Sequence, residues 1–184
     1  MRFIAFAAFA ALAACASSPS ATSGVHVPMA LALDSGPGAS VGEVVLSQES
    51  GGVAIALNLH GLPPGQHGFH LHANASCDNA PNASGVMTPA GAAGGHFDPN
   101  ATNHHAGPTG DGHLGDLPLI DVGSDGAAHQ ILHVTRLTSP DAFRGHALMI
   151  HAGGDNYSDT PAPLGGGGAR YACGIVPVAA VDTH

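Results

Sequence analysis

Short runs of apolar and β-branched residues recur along the chain and are separated by segments rich in glycine and proline. The first run alternates in part between apolar and polar positions, as a strand with one buried face does. The runs predicted to form strands span residues 25–33, 41–46, 53–59, 117–122, 130–135, 146–151 and 171–178. Short strands with turns about every 8–12 residues are typical of a β-sandwich or barrel. Together with the segment at 67–72, the pattern predicts an all-β fold of about eight strands.

Two long stretches interrupt this pattern, one at residues 73–116 and one at 152–169. Both are rich in glycine, and the first also in asparagine, proline and histidine. Loops of this length inside a compact domain are usually functional. We therefore expect these two loops to carry the chemistry of the protein.

The N-terminus predicts export. Arg2 is followed by about a dozen apolar residues, a length typical of a signal peptide and short of the roughly 20 residues that span a bilayer. The Leu-Ala-Ala-Cys sequence ending at Cys15 resembles a bacterial lipobox, so residues 1–14 are predicted to be removed and Cys15 lipidated. Ordinary cleavage a few residues further on is the alternative. Residues 15–24 are then a flexible tether, and residues 25–184 form the folded domain.

Two cysteines remain after removal of the leader, Cys77 and Cys173. An even number of cysteines in an exported protein indicates a disulfide. By the chain-entropy model, a closed loop of about 96 residues stabilises the fold by roughly 4–5 kcal/mol. The alternative is a pair of unpaired buried thiols.

Composition excludes one class of partner and suggests another. Thirteen acidic residues stand against four arginines, and there is no lysine. The formal net charge of −9 excludes nucleic-acid binding through a basic face. Fourteen histidines are an unusual number for a chain in which only 9% of residues are charged. Histidine at this density indicates metal binding or pH sensing.

The histidines of the two loops and of the neighbouring strands have the spacing of metal ligands. His70 and His72 are two positions apart, so in a strand both would point to the same face. The other candidate donors are His96, His104, His105, His113, Asp116 and His151. Many imidazoles with few carboxylates favour copper or zinc over magnesium or calcium. Spacing alone allows either two metal sites or one site with spare histidines.

Five segments, in this order, resemble motifs of the copper/zinc superoxide dismutases, and most closely those of the exported bacterial branch. They are His-Gly-Phe-His-Leu-His at 67–72, Gly-Gly-His-Phe-Asp-Pro at 94–99, Gly-His-Leu-Gly-Asp-Leu-Pro at 112–118, His-Ala-Gly-Gly-Asp-Asn-Tyr-Ser-Asp at 151–159 and Gly-Gly-Gly-Gly-Ala-Arg-Tyr-Ala-Cys-Gly at 165–174. The resemblance covers residues 25–178. It implies an immunoglobulin-like Greek-key β-sandwich or flattened barrel of antiparallel strands with two long functional loops.

The resemblance also implies a role for each matching residue. The implied copper ligands are His70, His72, His96 and His151. The implied zinc ligands are His96, His105, His113 and Asp116, with His96 shared between the two metals. His105 is preferred to His104 because the following Ala-Gly-Pro fits the family pattern. Asp155 would accept hydrogen bonds from one ligand of each metal, Arg170 would attract and position the substrate, and Cys77 would bridge to Cys173.

The implied reaction is the disproportionation of superoxide to dioxygen and hydrogen peroxide, which would protect the cell envelope from the periplasm. The lipid on Cys15 would be the membrane contact. A copper and zinc buffer without fast turnover is the alternative function, and a structural or adhesion sandwich is a third. Met149 and Ile150 could pack either the core or a homodimer face. The second loop contributes only Arg170 as a positive charge, against Asp155 and Asp159, so we expect weaker electrostatic steering of the substrate than in family members with lysine-bearing loops.

Overall fold

The computed structural model describes residues 24–178 of the chain. The predicted signal peptide at 1–14, the lipidation site Cys15 and the tether up to residue 23 lie outside the described residues, as do residues 179–184. Within the described range, no helix is long and apolar enough to cross a membrane.

Antiparallel strands dominate the described part of the chain, which otherwise contains loops and three short 3-10 turns. The strands are β1 (Val25–Leu33), β2 (Gly36–Glu49), β3 (Gly52–Leu59), β4 (Gly65–His67), β5 (Phe69–His72), β6 (Ala80–Pro81), β7 (Met87–Thr88), β8 (Ile120–Val122), β9 (Ile131–Val134), β10 (Ala147–His151) and β11 (Arg170–Ile175). The 3-10 turns are Gly91–Ala93, Pro140–Phe143 and Leu164–Gly166. This architecture confirms the all-β prediction.

Seven of the strands form one curled antiparallel sheet in the order β5-β10-β11-β1-β2-β3-β9. Within it, β1, β2 and β3 follow one another as a meander, and the last strand, β11, returns to lie beside β1. This spatial order is that of a Greek key. Two small sheets complete the fold, one pairing β4 with β8 and the other β6 with β7.

The first hairpin shows how the apolar pattern sets the strands. Along β1, Val25, Val27 and Met29 are buried while the residues between them are exposed, as the alternation predicts. Strand β2 begins five residues earlier than the predicted start at residue 41, because its glycine-rich first half carries no apolar pattern. Gly42 has a φ of 109°, and a Cβ there would lie 2.1 Å from the carbonyl oxygen of Asn58. Glycine is therefore required where β2 approaches β3.

The core lies beneath the sheet and reaches the candidate ligands through β5 and β10. All five residues of β10 are buried, and in β5 the core residues Phe69 and Leu71 alternate with the two histidines. Met149 and Ile150 are fully buried. The suggestion that they could form a homodimer face is therefore wrong, because their side chains are already packed within this chain.

The two long loops lie where the pattern predicts them, and the first is anchored covalently. Cys77, in the first loop, is joined to Cys173 of β11 by a disulfide with a Cα–Cα distance of 5.8 Å. The predicted disulfide is thus confirmed, and it indicates an oxidising compartment. The second loop, residues 152–169, runs from β10 back to β11. Each loop therefore begins at the end of a strand that carries candidate ligands, the first at β5 and the second at β10.

Candidate metal centre

Four buried histidines converge at one end of the sheet. His70 and His72 come from β5, His151 from the end of β10, and His96 from the first loop, where it forms an isolated β-bridge with His72. Because β5 and β10 are paired antiparallel, with Met149 opposite His70, the end of β10 lies beside the start of β5. One ligand atom from each of the four lies within 4.8 Å of those from the other three. We call these residues the first donor group.

Hydrogen bonds to the outer ring nitrogens turn the other nitrogens toward the centre of the group. His70 Nε2 donates to Asp155 Oδ2 at 2.8 Å, His72 Nδ1 to the carbonyl oxygen of Gly94 at 2.9 Å and His151 Nδ1 to that of Gly168 at 3.1 Å. Such bonds fix the tautomer and leave the opposite nitrogen free to bind a metal. The inward atoms His72 Nε2 and His151 Nε2 lie 3.4 Å apart.

A second donor group surrounds one carboxylate oxygen and comes entirely from the first loop. Its members are His96, His105, His113 and Asp116, all buried. The Nδ1 atoms of His96 and His105 each lie 2.9 Å from Asp116 Oδ1, and that of His113 lies 3.2 Å from it. Two ligands of a tetrahedral zinc ion, each about 2.0 Å from it, are about 3.3 Å apart. The spacing of the second group therefore fits zinc.

Three buried ring nitrogens in these groups have no hydrogen-bond partner, namely His70 Nδ1, His96 Nε2 and His105 Nδ1. A buried polar atom without a partner is rare and costly. His105 Nδ1 faces Asp116 Oδ1 at 2.9 Å without the alignment of a hydrogen bond. His96 directs Nδ1 to the second group and its unpartnered Nε2 to the first. These atoms have the arrangement expected of metal ligands, so the residues present fit two ions that share His96.

Asp155 connects the two donor groups. Its Oδ2 accepts a hydrogen bond from His70 and its Oδ1 one from His105, each at 2.8 Å, and all three side chains are fully buried. Gly165, from the glycine run of the second loop, covers the carboxylate at a φ of 70°. A Cβ at this position would lie 1.9 Å from Asp155 Oδ1, so only glycine allows the loop to close over it.

Comparison with known proteins identifies the family of this chain. A family model described as copper/zinc superoxide dismutase matches residues 40–176. The chain belongs to the copper/zinc superoxide dismutase family.

Individual relatives agree with this assignment. The chain is 48% identical over 159 residues to a Cu-Zn superoxide dismutase of Brucella abortus, covering 86% of this chain and 91% of the relative. It is 52% identical over 150 residues to one from Salmonella typhimurium, covering 82% and 86%. The solved Brucella abortus enzyme superposes with a TM-score of 0.81 at 48% identity, covering 83% of this chain and 99% of that one. The predicted resemblance is thereby confirmed, and the chain is a superoxide dismutase that uses copper and zinc.

The electrostatics of the dismutase site keep most of its imidazoles neutral, which is the form that binds metals. Burial, assisted by the neighbouring rings, lowers the pKa of His70 and His72, that of His96 to about 4 and that of His151 to about 3. His105 differs: burial acts to lower its pKa, but the carboxylates of Asp116 and Asp155, 2.9 and 2.8 Å from its two ring nitrogens, outweigh burial and raise the pKa to about 9.

The two site carboxylates remain ionised. For each of them burial acts to raise the pKa, but the ring nitrogens of two facing histidines prevail. These are His105 and His96 for Asp116, and His105 and His70 for Asp155. The pKa values of Asp116 and Asp155 therefore lie well below their usual range.

Arg170 lies at the start of β11 beside the first donor group. Its Nη1 donates to the carbonyl oxygen of Ala90 and its Nη2 to that of Gly94. Gly94 also accepts the hydrogen bond of His72, so one carbonyl holds both the arginine and a ligand of the first group. The charge of Arg170 adds to burial and neighbouring rings in lowering the pKa of His72 and His151.

Two of the histidines are oriented by backbone carbonyls, which were not predicted from the sequence. The carbonyls of Gly94 and Gly168 orient His72 and His151, and glycine-rich runs beside the ligands are the signal that could have indicated them.

The structure puts His105 in the second group, whereas the neighbouring His104 points outward and pairs with Asp111 at 3.1 Å.

Proposed function

We propose that the first donor group binds copper and the second binds zinc, and that superoxide reacts at the copper position. The observation that carries this assignment is His96, which offers one ring nitrogen to each group. Four imidazole nitrogens suit the tetragonal preference of Cu(II), while three nitrogens and a carboxylate suit a closed zinc site. A metal buffer would need neither a shared imidazole nor an arginine beside one of its ions.

Copper, when bound, supplies the one-electron chemistry that oxidises one superoxide to dioxygen and reduces a second to peroxide, while zinc is redox-inert. The second half of the reaction needs two protons, one for each oxygen of hydrogen peroxide. His96 Nε2 is the atom of this chain suited to hold one of them, since it is directed at the copper position and has no other partner. The second proton comes from water. Asp155 keeps the ligands of both metals in place during the reaction.

Arg170 attracts the anionic substrate and orients it. A guanidinium has five N–H groups, and two of them are occupied by the carbonyls of Ala90 and Gly94. The remaining groups are available to superoxide, and the two occupied ones hold the side chain beside the first donor group. We therefore assign Arg170 and His96 as the catalytic residues of the chain.

We further propose that the dismutase domain, residues 25–184, acts in the periplasm. The leader and lipobox support cleavage before Cys15 and a lipid anchor on that residue, with 15–24 as the tether. There the enzyme would protect the cell envelope. A homodimer would have to pack through exposed apolar side chains such as Ile131 and Ile175, since Met149 and Ile150 are buried. Sedimentation of the lipid-free domain tests for it, and metabolic labelling with a fatty acid, lost in C15A, tests the anchor.

The test of the metal assignment is a set of histidine variants of the reconstituted enzyme, analysed for metal content and superoxide decay. We expect H72A to lose copper and activity while keeping zinc, and H113A to lose zinc while keeping copper. H133A is the matched control, because His133 is exposed, pairs with Glu49 and belongs to neither donor group. Loss of copper rather than zinc in H113A would contradict the assignment. So would metal-loaded protein that leaves superoxide decay at its spontaneous rate.

A further inference from the structure

Arg136, like Arg170, is held by backbone carbonyl oxygens of the first loop. It follows β9, and it makes no salt bridge among the residues that the structure describes. Instead its Nη1 donates to the carbonyl oxygen of His113 at 2.9 Å and its Nη2 to that of Gly112 at 2.7 Å. One guanidinium thus binds two consecutive carbonyls of the first loop. In a chain without lysine, a cation held on backbone oxygens rather than on a carboxylate indicates a specific structural requirement.

That requirement concerns His113, the zinc ligand of the proposed function on which this inference rests. The outer nitrogens of His70, His72, His105 and His151 are all hydrogen-bonded to the protein. For His113 Nε2, no such bond is found within residues 24–178. The ring of His113 therefore has no outer hydrogen bond to orient it, and its direction depends on its own backbone.

The backbone around His113 lies between the loop and the sheet. On one side, His113 N donates to the carbonyl oxygen of His104 at 3.0 Å, and Gly112 is so close that a Cβ would lie 2.5 Å from the same oxygen. On the other side is the guanidinium of Arg136, fixed to the end of β9. The Gly112–His113 segment belongs to no strand or helix, so its position depends on individual contacts such as these.

We propose that Arg136 is a positioning residue of the zinc centre, which fixes the Gly112–His113 backbone and thereby directs the His113 ring at the metal. The planar fork is suited to this task because it binds two acceptors in a fixed relative position, whereas a lysine would supply a single point charge. Arg136 does not touch the substrate. Its effect should therefore appear in zinc binding and not at the copper position.

The test measures zinc affinity by competition with a chromophoric chelator in R136Q, R136K and wild-type protein. Outer contacts of this kind typically contribute 10–100-fold to metal affinity, so we expect R136Q to bind zinc about 10–100-fold more weakly. R136K should recover part of the loss. Cobalt(II) bound in place of zinc should show a changed visible spectrum in R136Q, while copper affinity stays within about twofold of wild type.

Two further variants separate the possible outcomes. R144Q is the matched control, since Arg144 also donates to a backbone carbonyl, that of Pro177, but is remote from the second donor group. H113A tests the proposed function itself. Wild-type zinc affinity and cobalt spectrum in R136Q, with zinc binding lost in H113A, would overturn the role of Arg136 and leave the metal assignment intact. Zinc binding retained in H113A would refute the assignment. If R136Q does not fold, a wild-type zinc affinity of R136K would overturn the proposal.

Discussion

Replacing Asp155 by asparagine should weaken copper binding more than zinc binding. The substitution preserves size but turns one of two acceptor oxygens into an amide donor. The backbone N–H of Tyr157 also donates to Asp155 Oδ1, at 2.7 Å. Because this N–H and His105 both need an acceptor at the same place, the oxygen of the asparagine should stay there, and its NH₂ group should face His70.

The consequence for His70 follows from its tautomer. In the wild type its Nε2 donates to Asp155, which leaves Nδ1 without a proton and directed at the first donor group. In D155N two donors would face each other at 2.8 Å if this tautomer persisted. The ring can avoid this only by moving its proton to Nδ1, the atom proposed to bind copper, or by turning away. Losing a charge-assisted hydrogen bond costs about 1.5–3 kcal/mol, or roughly 10–100-fold in copper affinity.

The assay is competition for copper and for zinc, measured separately by titration with chelators of known affinity. We expect the loss for copper, with zinc affinity reduced less because His105 keeps an acceptor. D34N is the control, since it removes the same charge from an exposed aspartate whose carboxylate accepts no hydrogen bond in the described structure; only its backbone carbonyl does, from Asn79. A larger loss for zinc, or copper affinity equal to that of wild type, would refute the argument from Tyr157.

Three other perturbations test the electrostatics of the site. R170A should keep both metals in elemental analysis but lose at least about tenfold in the second-order rate, as expected when the charge that orients the anion at the reacting centre is removed; an unchanged rate would contradict its role. In the wild type, that rate should fall little with added salt, because Arg170 stands against Asp155 and Asp159 in a chain of net charge −9, and a steep fall would disprove weak steering. The metal-free protein should lose stability in urea as pH rises from about 6.5 to 9, since the pKa of His105, about 9 when folded, exceeds its unfolded value of about 6.5. The depressed pKa values of His70, His72, His96 and His151 add no slope above pH 6.5, so a flat profile there would rule out the charged His105.

The strands that were predicted well are those in which burial alternates or is continuous along the strand. The run predicted at 25–33 coincides with β1, because each buried position is marked by a large apolar side chain. The run predicted at 117–122 shrinks to Ile120–Val122, because the preceding residues still belong to the loop, with Leu119 N donating to the Tyr157 hydroxyl. Strand β4 was not predicted as a separate strand, because three residues are too few to show a period.

The candidate ligands could be chosen from sequence because imidazole and carboxylate side chains identify themselves by residue type. The groups that orient these ligands could not be predicted from the sequence, because they are largely backbone atoms. Gly94 and Gly168 act through their carbonyl oxygens, and Gly165 acts by lacking a side chain. Arg136 is visible in the sequence, but nothing in its neighbourhood along the chain connects it to His113, which is 23 residues away.

Without bound metals, the two donor groups lower the stability of the folded protein. Three buried ring nitrogens without partners each cost roughly 1–3 kcal/mol, and the neutral histidines around them must be packed against one another in the absence of solvent. Such an arrangement survives only if other parts of the chain hold it. The disulfide from Cys77 to Cys173, the fork of Arg136 and the bridging carboxylate of Asp155 each tie a segment of loop to a strand or to another loop. Because metal ions bind the folded arrangement and not the unfolded chain, the free energy lost in assembling the empty site is returned when it is filled. The rigidity that places one imidazole between the two donor groups is thus built largely outside the ligands themselves.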